Sequence, residues 1–547
     1  MTSHQEPSEA ARTMPAPAGS LVGAAQDTHR PADPRATVQR SAVVRATVQR
    51  PVVERLRAAL LAGRPGGLRL SGWVHLVVGL QLLLMTIYSS GYGYQRDELY
   101  FRMLPPAWGY VDQPPFTPFL VRTLSQLSDH TWSIRLAATL ATCLATYVHV
   151  LITREFGGSR RAQVISAVAY AFALVPLALG HNLLTATVDL PLWGLTALFV
   201  CRAVLRDDTR WWIAAGAVIG LTTYNRWLII AFVLVLLAGI VLTGPRHQLT
   251  DRNTWLGGGL ALLLALPNLW WQAQHGWPQL TFGMALAGSN NADVRRGMWT
   301  LLPIIMGPFL LPFWGAGIVA LFRRPAWRRA RFLVVGLVIF LLMMVPVAGQ
   351  AYYPVGLVSV LLAIGCVPVA EWATTVRQRR AVAGLLAANA LTGIVFDLPV
   401  LPIEKSPTRY FNPLALDASF WPTYVDQVAD AYRTYAPQRP GTTVVLAGDY
   451  GEAGAIDRFG PEAGLPPVYS GHNSLGWLAP PPDSATAVVA VGIPLSTLSS
   501  HFLSCMQVGR LDNGYAIKMY QQGQPIVVCD GRRDPWTKIW PDLTHWG

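Results

Sequence analysis

Charge is what this chain has least of. Among 547 residues only 13% are Asp, Glu, Lys or Arg while 52% are hydrophobic, against a charged share of roughly 25% in soluble domains. That balance argues against a soluble fold. Cysteine is scarce as well: there are five, and no pair has the close spacing of a zinc or redox motif. Metal bound through cysteine is therefore not expected. Cys143, Cys201 and Cys366 sit in apolar stretches, whereas Cys505 and Cys529 fall in the polar C-terminal part and could pair in an oxidising compartment. No P-loop or dinucleotide fingerprint is present, no repeat of the apolar segments is visible, and no apolar stretch with a cleavage site follows Met1.

What is present is a formal net charge of +13, which by itself would suit nucleic acid, anionic lipid or an anionic substrate. Placement decides between them. Residues 1–69 are rich in Ala, Pro, Thr and Arg, with Arg35, Arg40, Arg45, Arg50 and Arg55 five apart, and read as a disordered basic cytoplasmic tail. From Trp73 apolar runs recur at about the 20 residues that cross a bilayer. Eleven spans are expected, the first Trp73 to Ser89 and the last Ala381 to Phe396. Arginines gather in alternate connections, among them Arg160 and Arg161, Arg202 and Arg206, Arg323 to Arg331, and Arg377 to Arg380. The positive-inside rule makes that side cytoplasmic, where the excess charge sets orientation and attracts anionic lipid. Nucleic acid is not needed to explain it. The expected organisation is a membrane domain over 70–397 and an extracytoplasmic domain over 398–547. In the latter, short β-favouring runs at Thr442 to Ala447 and Ala487 to Val491 suggest a small α/β or α+β fold.

Polar residues gather at the outer ends of these spans. The first outer loop, residues 90–133, is far longer than a connector and carries Arg96, Asp97, Glu98, Arg102, Asp112 and Arg122. Leu99 to Leu104 and Phe116 to Leu127 have the amphipathic character of interfacial helices. His181, Asp189 and Arg226 follow at later outer ends. A carboxylate at the apolar boundary can draw a proton from an attacking hydroxyl, and nearby arginines can hold an anionic leaving group. Solvated ion pairs with Arg96 and Arg102 are the plainer explanation of Asp97 and Glu98. Adjacent helical residues project roughly 100° apart, so one of the two acids should face the reaction, and Asp97 is favoured.

The DE pair after the first span, VDQPPF, TATVDLPLW and GLTTYNRW resemble membrane glycosyltransferases of the C superfamily. More narrowly they resemble family 39, which includes protein O-mannosyltransferases and the lipid A aminoarabinose transferase. PNLWWQAQHGWP, AYYP and GDYGEAGAIDRFGP are similar to an actinobacterial-type branch. The resemblance spans roughly residues 72 to 547. It implies transfer of a sugar from a polyprenyl-phosphate carrier to a protein, glycan or lipid acceptor on the outer face of the cell membrane. It also implies a catalytic role for Asp97 with Glu98 beside it, a site role for Asp189, and carrier-phosphate contact at Arg226, where relatives commonly have Lys. Arg keeps the charge but can grip phosphate oxygens with two donors.

His275, Tyr352 and Tyr353 could contact carrier or sugar, or serve only as interfacial anchors. Asp449, Tyr450, Glu452 and His472 lie among Gly and Pro residues that suggest turns, and the resemblance implies that they could face the acceptor. No metal shell and no cofactor are expected, because a lipid-linked sugar is already activated and is itself a substrate. A transporter or flippase of a polyprenyl-linked substrate is the rival reading. It would call for internal repeats and polar residues on both sides of the midplane.

Overall fold

The structure is a computed structural model that describes residues 70–289, 292–347, 349–438 and 442–547. The expectation for residues 1–69 lies outside the described residues. Residues 70–547 form one compact unit.

Its first part is all helical. In chain order it contains α1 (Gly72–Tyr88), α2 (Arg96–Met103), α3 (Phe116–Leu127), α4 (Thr131–Glu155), α5 (Arg160–Ala171), α6 (Leu174–Gly180), α7 (Thr185–Arg206), α8 (Trp211–Thr222) and α9 (Leu228–Thr243). It continues with α10 (Arg252–Gln274), α11 (Pro278–Ser289), α12 (Ala292–Leu301), α13 (Leu311–Arg323), α14 (Phe332–Met344), α15 (Val355–Trp372) and α16 (Val376–Asp397). The sixteen are not eleven crossings. Among the described residues four helices, α4, α7, α15 and α16, are long and apolar enough to span a bilayer, or up to six if two bent pairs each count as one span. The expectation of eleven is corrected for a physical reason. Apolar runs that look continuous by composition are cut by the backbone: α5 and α6 meet at 58°, and a 65° bend follows Ile304. There Gly307 takes φ 113° and Pro308 restarts the chain. At 1.5 Å per residue, the 12 residues of α8 and 13 of α14 reach only about 20 Å. Helix α10 has 23 residues but carries Asn253, Pro267, Asn268 and Gln272. Leu76, Leu80, Leu83 and Ile87 on α1, with Leu262, Leu263, Leu266 and Trp270 on α10, stand exposed as apolar faces. The chain is a multi-pass membrane protein. An odd–even count over eleven spans no longer assigns a side to its termini.

Helix α4 orders the polar groups. Its 25 residues cover about 37 Å. At its C-terminal end Glu155 pairs with Arg202 and Arg206 of α7. At its N-terminal end Arg135 meets the loop that carries Asp97 and Glu98.

After α16 come α17 (Pro413–Leu416), α18 (Trp421–Tyr435), β1 (Thr442–Ala447), α19 (Tyr450–Phe459), β2 (Val468–Ser470), β3 (Ala485–Val491), α20 (Leu495–Ser499), β4 (Phe502–Arg510), β5 (Pro525–Arg532) and α21 (Trp536–Leu543). The strands make one sheet in the order β2-β1-β3-β5-β4. The first three are parallel, and β5 pairs antiparallel with both β3 and β4. Consecutive apolar residues in β1 and β3 fit strands covered on both faces. Cys505 and Cys529 face each other in register across β4 and β5 and form a disulfide. Tyr94, Leu99, Tyr100 and Phe101 of the first loop share one hydrophobic cluster with Trp421, Tyr424, Val445 and Ile456.

Candidate active site

Helix α2 starts with a reciprocal cap. The backbone N–H of Asp97 donates to Gln95 Oε1 at 2.6 Å, and the N–H of Gln95 donates to Glu98 Oε2 at 2.9 Å. This cap turns the two neighbouring acids in different directions. Glu98 is fully buried and pairs with Arg135 at 3.2 Å. Its Oε1 also accepts from the backbone N–H of Leu183 at 2.9 Å. Arg135 in turn donates to the carbonyls of Ser89 and Gly91 at 2.9 and 3.0 Å. Glu98 thus joins the end of α1, the start of α4 and the α6–α7 turn.

Asp97 faces the C-terminal part of the chain. The Tyr450 hydroxyl donates to Asp97 Oδ1 at 2.8 Å, and Arg96 Nε lies 3.8 Å from the same oxygen. The Asp97 side chain keeps 31% exposure. Arg96 also lies 3.8 Å from Asp417, and its guanidinium sits 4.9 Å from the Tyr450 ring centroid and 5.9 Å from that of Tyr520. Burial, offset in part by Arg96, pushes the Asp417 carboxyl up to about 6. This neighbourhood exists because α19 approaches α2 closely. A Cβ at Gly454 would stand 2.7 Å from the Leu99 backbone, and one at Gly451 would stand 2.9 Å from Arg96 Cβ. Gly451 and Gly454, three residues apart on α19, therefore supply the flat face that meets α2.

Asp112 folds in behind. Tyr100 donates its hydroxyl to Asp112 Oδ1 at 3.1 Å, and Ser474 Oγ donates to the same oxygen at 3.3 Å. Burial, with a smaller push from Asp97, raises the Asp112 carboxyl to about 7. His472 accepts the backbone N–H of Tyr450 on Nδ1 at 3.1 Å. That bond makes its 3.6 Å approach to Asp449 one between a neutral ring and a carboxyl. Burial holds His472 down at about 3.

A second polar cluster lies in a pocket at the N-terminal ends of α7, α9 and α15. Asp189, Arg226, Tyr352 and Tyr353 line it together with Trp193 and Tyr170. Arg226 is 3.7 Å from Asp189 Oδ2, donates toward the Tyr352 hydroxyl at 3.4 Å and lies 4.7 Å from the Tyr353 ring centroid. Asn225 Nδ2 donates to Asp189 Oδ1 at 2.8 Å. Burial raises the Tyr352 hydroxyl, Arg226 lowers it and the charge of Asp97 raises it further, so Tyr352 lies in the field of both clusters.

Two sequence candidates stand elsewhere. Arg102 grips Asp129 with two bonds of 2.9 and 2.8 Å and reaches Asp457 at 3.4 Å, which ties α2 to α19. His275 stacks on Trp271 at 4.3 Å and against Trp477 at 6.2 Å, beside an aromatic hollow formed with Trp108 and Trp270. Asp417 and Tyr520 were missed by sequence reading. Each lies more than 300 residues from Asp97 in the chain, and no local pattern marks either. Among the described residues no group of three or more His, Cys, Asp or Glu is gathered as a metal site would require.

With this geometry in view, comparisons agree on the architecture. Residues 112–271 match the family model of the dolichyl-phosphate-mannose-protein mannosyltransferases. No curated protein matches the chain. The crystal structure of ArnT from Cupriavidus metallidurans bound to undecaprenyl phosphate is similar at 16% identity and a TM-score of 0.56, covering 84% of this chain and 98% of that one. ArnT from the same organism in the apo state matches at 15% identity and a TM-score of 0.56, covering 84% and 97%. This chain has the fold of these ArnT structures, with a polytopic helical domain followed by a β-containing C-terminal domain.

Proposed function

We propose that this protein transfers a sugar from a polyprenyl-phosphate carrier to an acceptor at the outer membrane–water boundary, with Asp97 as the base. The observation that carries the reading is the pocket that presents Arg226 with two tyrosines beside Asp189, and the partly open Asp97 carboxylate supplies a base. The matched family and the undecaprenyl-phosphate-bound ArnT structure support a lipid-linked donor.

The chemistry assigns each group a task. Arg226, steadied by Asp189, Tyr352 and Tyr353, holds the carrier phosphate and balances the charge it gains as it leaves. The acceptor hydroxyl attacks the anomeric carbon from the side opposite the phosphate. The bond from that carbon to the phosphate oxygen breaks, polyprenyl phosphate departs and the configuration inverts. Asp97 takes the hydroxyl proton on the oxygen that Tyr450 leaves free. Glu98, buried against Arg135, holds α2 in place, and Arg102 fixes the loop to α19. Arg96 orients Asp97, and His275 flanks the entrance.

The finer assignments extend the same reading. The motifs support membership of family 39 and its actinobacterial-type branch as part of the proposal, and the arginine-rich connections support a cytoplasmic N-terminal tail and an extracytoplasmic C-terminal domain. The test is transfer of radiolabelled sugar from polyprenyl phosphate by purified protein, comparing wild type with Asp97→Asn. Full activity in the variant would remove the base. Movement of the carrier across vesicles without transfer would favour a flippase.

A further inference from the structure

The C-terminal sheet contains a crevice that the chemistry above does not use. Strand β1 lies between β2 and β3, parallel to both, so the chain crosses to opposite sides of β1 at its carboxyl end. In open α/β sheets such switch points are where ligands bind. Here the carboxyl ends of β1, β2 and β3 open onto a cavity of about 240 Å³, smaller than the roughly 300–1,000 Å³ that drug-sized ligands occupy.

Its walls define the occupant. Tyr469, Tyr520 and Trp540 present rings, and Ser470, Asp542 and His545 present hydrogen-bonding groups. No Lys or Arg is among the residues that line it, and the Asp542 side chain is 67% exposed at the rim. An anion such as a phosphate finds no counter-charge there. Aromatic faces that pack against C–H surfaces, with a carboxylate to accept hydroxyl protons, suit a neutral polyhydroxylated ligand.

The crevice is also in the right place. Tyr520 is shared: one side lines the cavity, and its ring lies 5.9 Å from the guanidinium of Arg96, which is 3.8 Å from Asp97. Burial raises the Tyr520 hydroxyl, with further pushes from Asp449 and Glu452. We propose that this crevice seats a neutral glycan, the acceptor, and presents one of its hydroxyls past Tyr520 toward Asp97. The acceptor role rests on the glycosyltransferase reading; the existence of a glycan site does not.

The experiment separates the two. Saturation-transfer NMR on the full-length protein in detergent, with a panel of neutral oligosaccharides, reads binding without turnover. Because Trp540 is buried, the exposed positions are varied: Asp542→Asn and, separately, Tyr520→Leu. The expected result is a bound oligosaccharide whose affinity falls about tenfold or more in each variant. In transfer assays the acceptor KM should rise to match, with the KM for the lipid donor unchanged. The site is overturned if wild type binds none of the panel, if both variants bind as wild type does, or if inorganic phosphate displaces the glycan. A rise in donor KM alone would overturn the acceptor assignment. Glycan binding that survives while no transfer is seen from any carrier would sink the transferase reading and leave the site standing.

Discussion

Asp97 and Glu98 are consecutive in the chain and open onto two different regions. Both Glu98 oxygens have partners, Arg135 with the Leu183 and Gln95 amides, and through Arg135 the carbonyls of Ser89 and Gly91. In front of Asp97 the set is incomplete, with Tyr450 on one oxygen, Arg96 nearby and part of the side chain open to solvent. A buried ion with a complete shell holds a fold together and is costly to break. A half-shielded carboxylate with a spare oxygen can exchange a proton with a substrate. The contrast separates structure from chemistry within one turn of helix.

That contrast can be broken from either side. Asp97→Asn should lower transfer about 10²–10⁴-fold and leave the thermal midpoint of the purified protein close to wild type. Glu98→Ala should do the reverse, costing about 3–5 kcal/mol of stability by stranding Arg135, read as a lowered unfolding midpoint and a poor folded yield. If Glu98→Ala melts like wild type and fails only in transfer, the division is wrong. Arg226→Lys should raise the donor KM about tenfold, because one ammonium replaces a two-pronged contact, with the acceptor KM unmoved.

A smaller effect belongs to pH. Asp417 and Asp112 keep their protons in the folded chain up to about 6 and 7, while in the unfolded chain they lose them near the usual 3.8. Their contribution to stability is therefore complete below about pH 4 and is lost as pH rises through 6 to 7. Hydrogen-exchange protection at residues 96–103 and 450–459, corrected for the base-catalysed intrinsic rate, should be greater at pH 5 than at pH 8, and the opposite order would reverse the sign. The smallest effect expected is none: transfer should proceed undiminished in EDTA, and loss restored by a divalent ion would require a metal.

Much of the local structure was legible because its cause is local. The alternation of apolar runs with Gly, Pro and Asp marked β1 at Thr442–Ala447 and most of β3. Amphipathic spacing marked α3 at Phe116–Leu127. The count of membrane crossings was not legible, since hydropathy sums side chains and is blind to the backbone break at Gly307 and Pro308. Tyr450 was a candidate from the sequence, but its contact with Asp97 was not legible. Tyr450 reaches Asp97 across 353 residues, and the only sequence trace of that contact is a pair of glycines in GEAG whose meaning depends on what packs there.

Composition alone determined that this is a membrane protein, and the placement of its acids and arginines located the candidate chemistry in the first long loop. Both follow from transfer free energies, which each residue carries wherever it sits. Tertiary structure decided which acid is spent on the fold, which tyrosine serves Asp97, and that Asp189, Arg226, Tyr352 and Tyr353 meet in one pocket. Those outcomes depend on distances and directions between residues far apart in the chain, which only the packed backbone fixes.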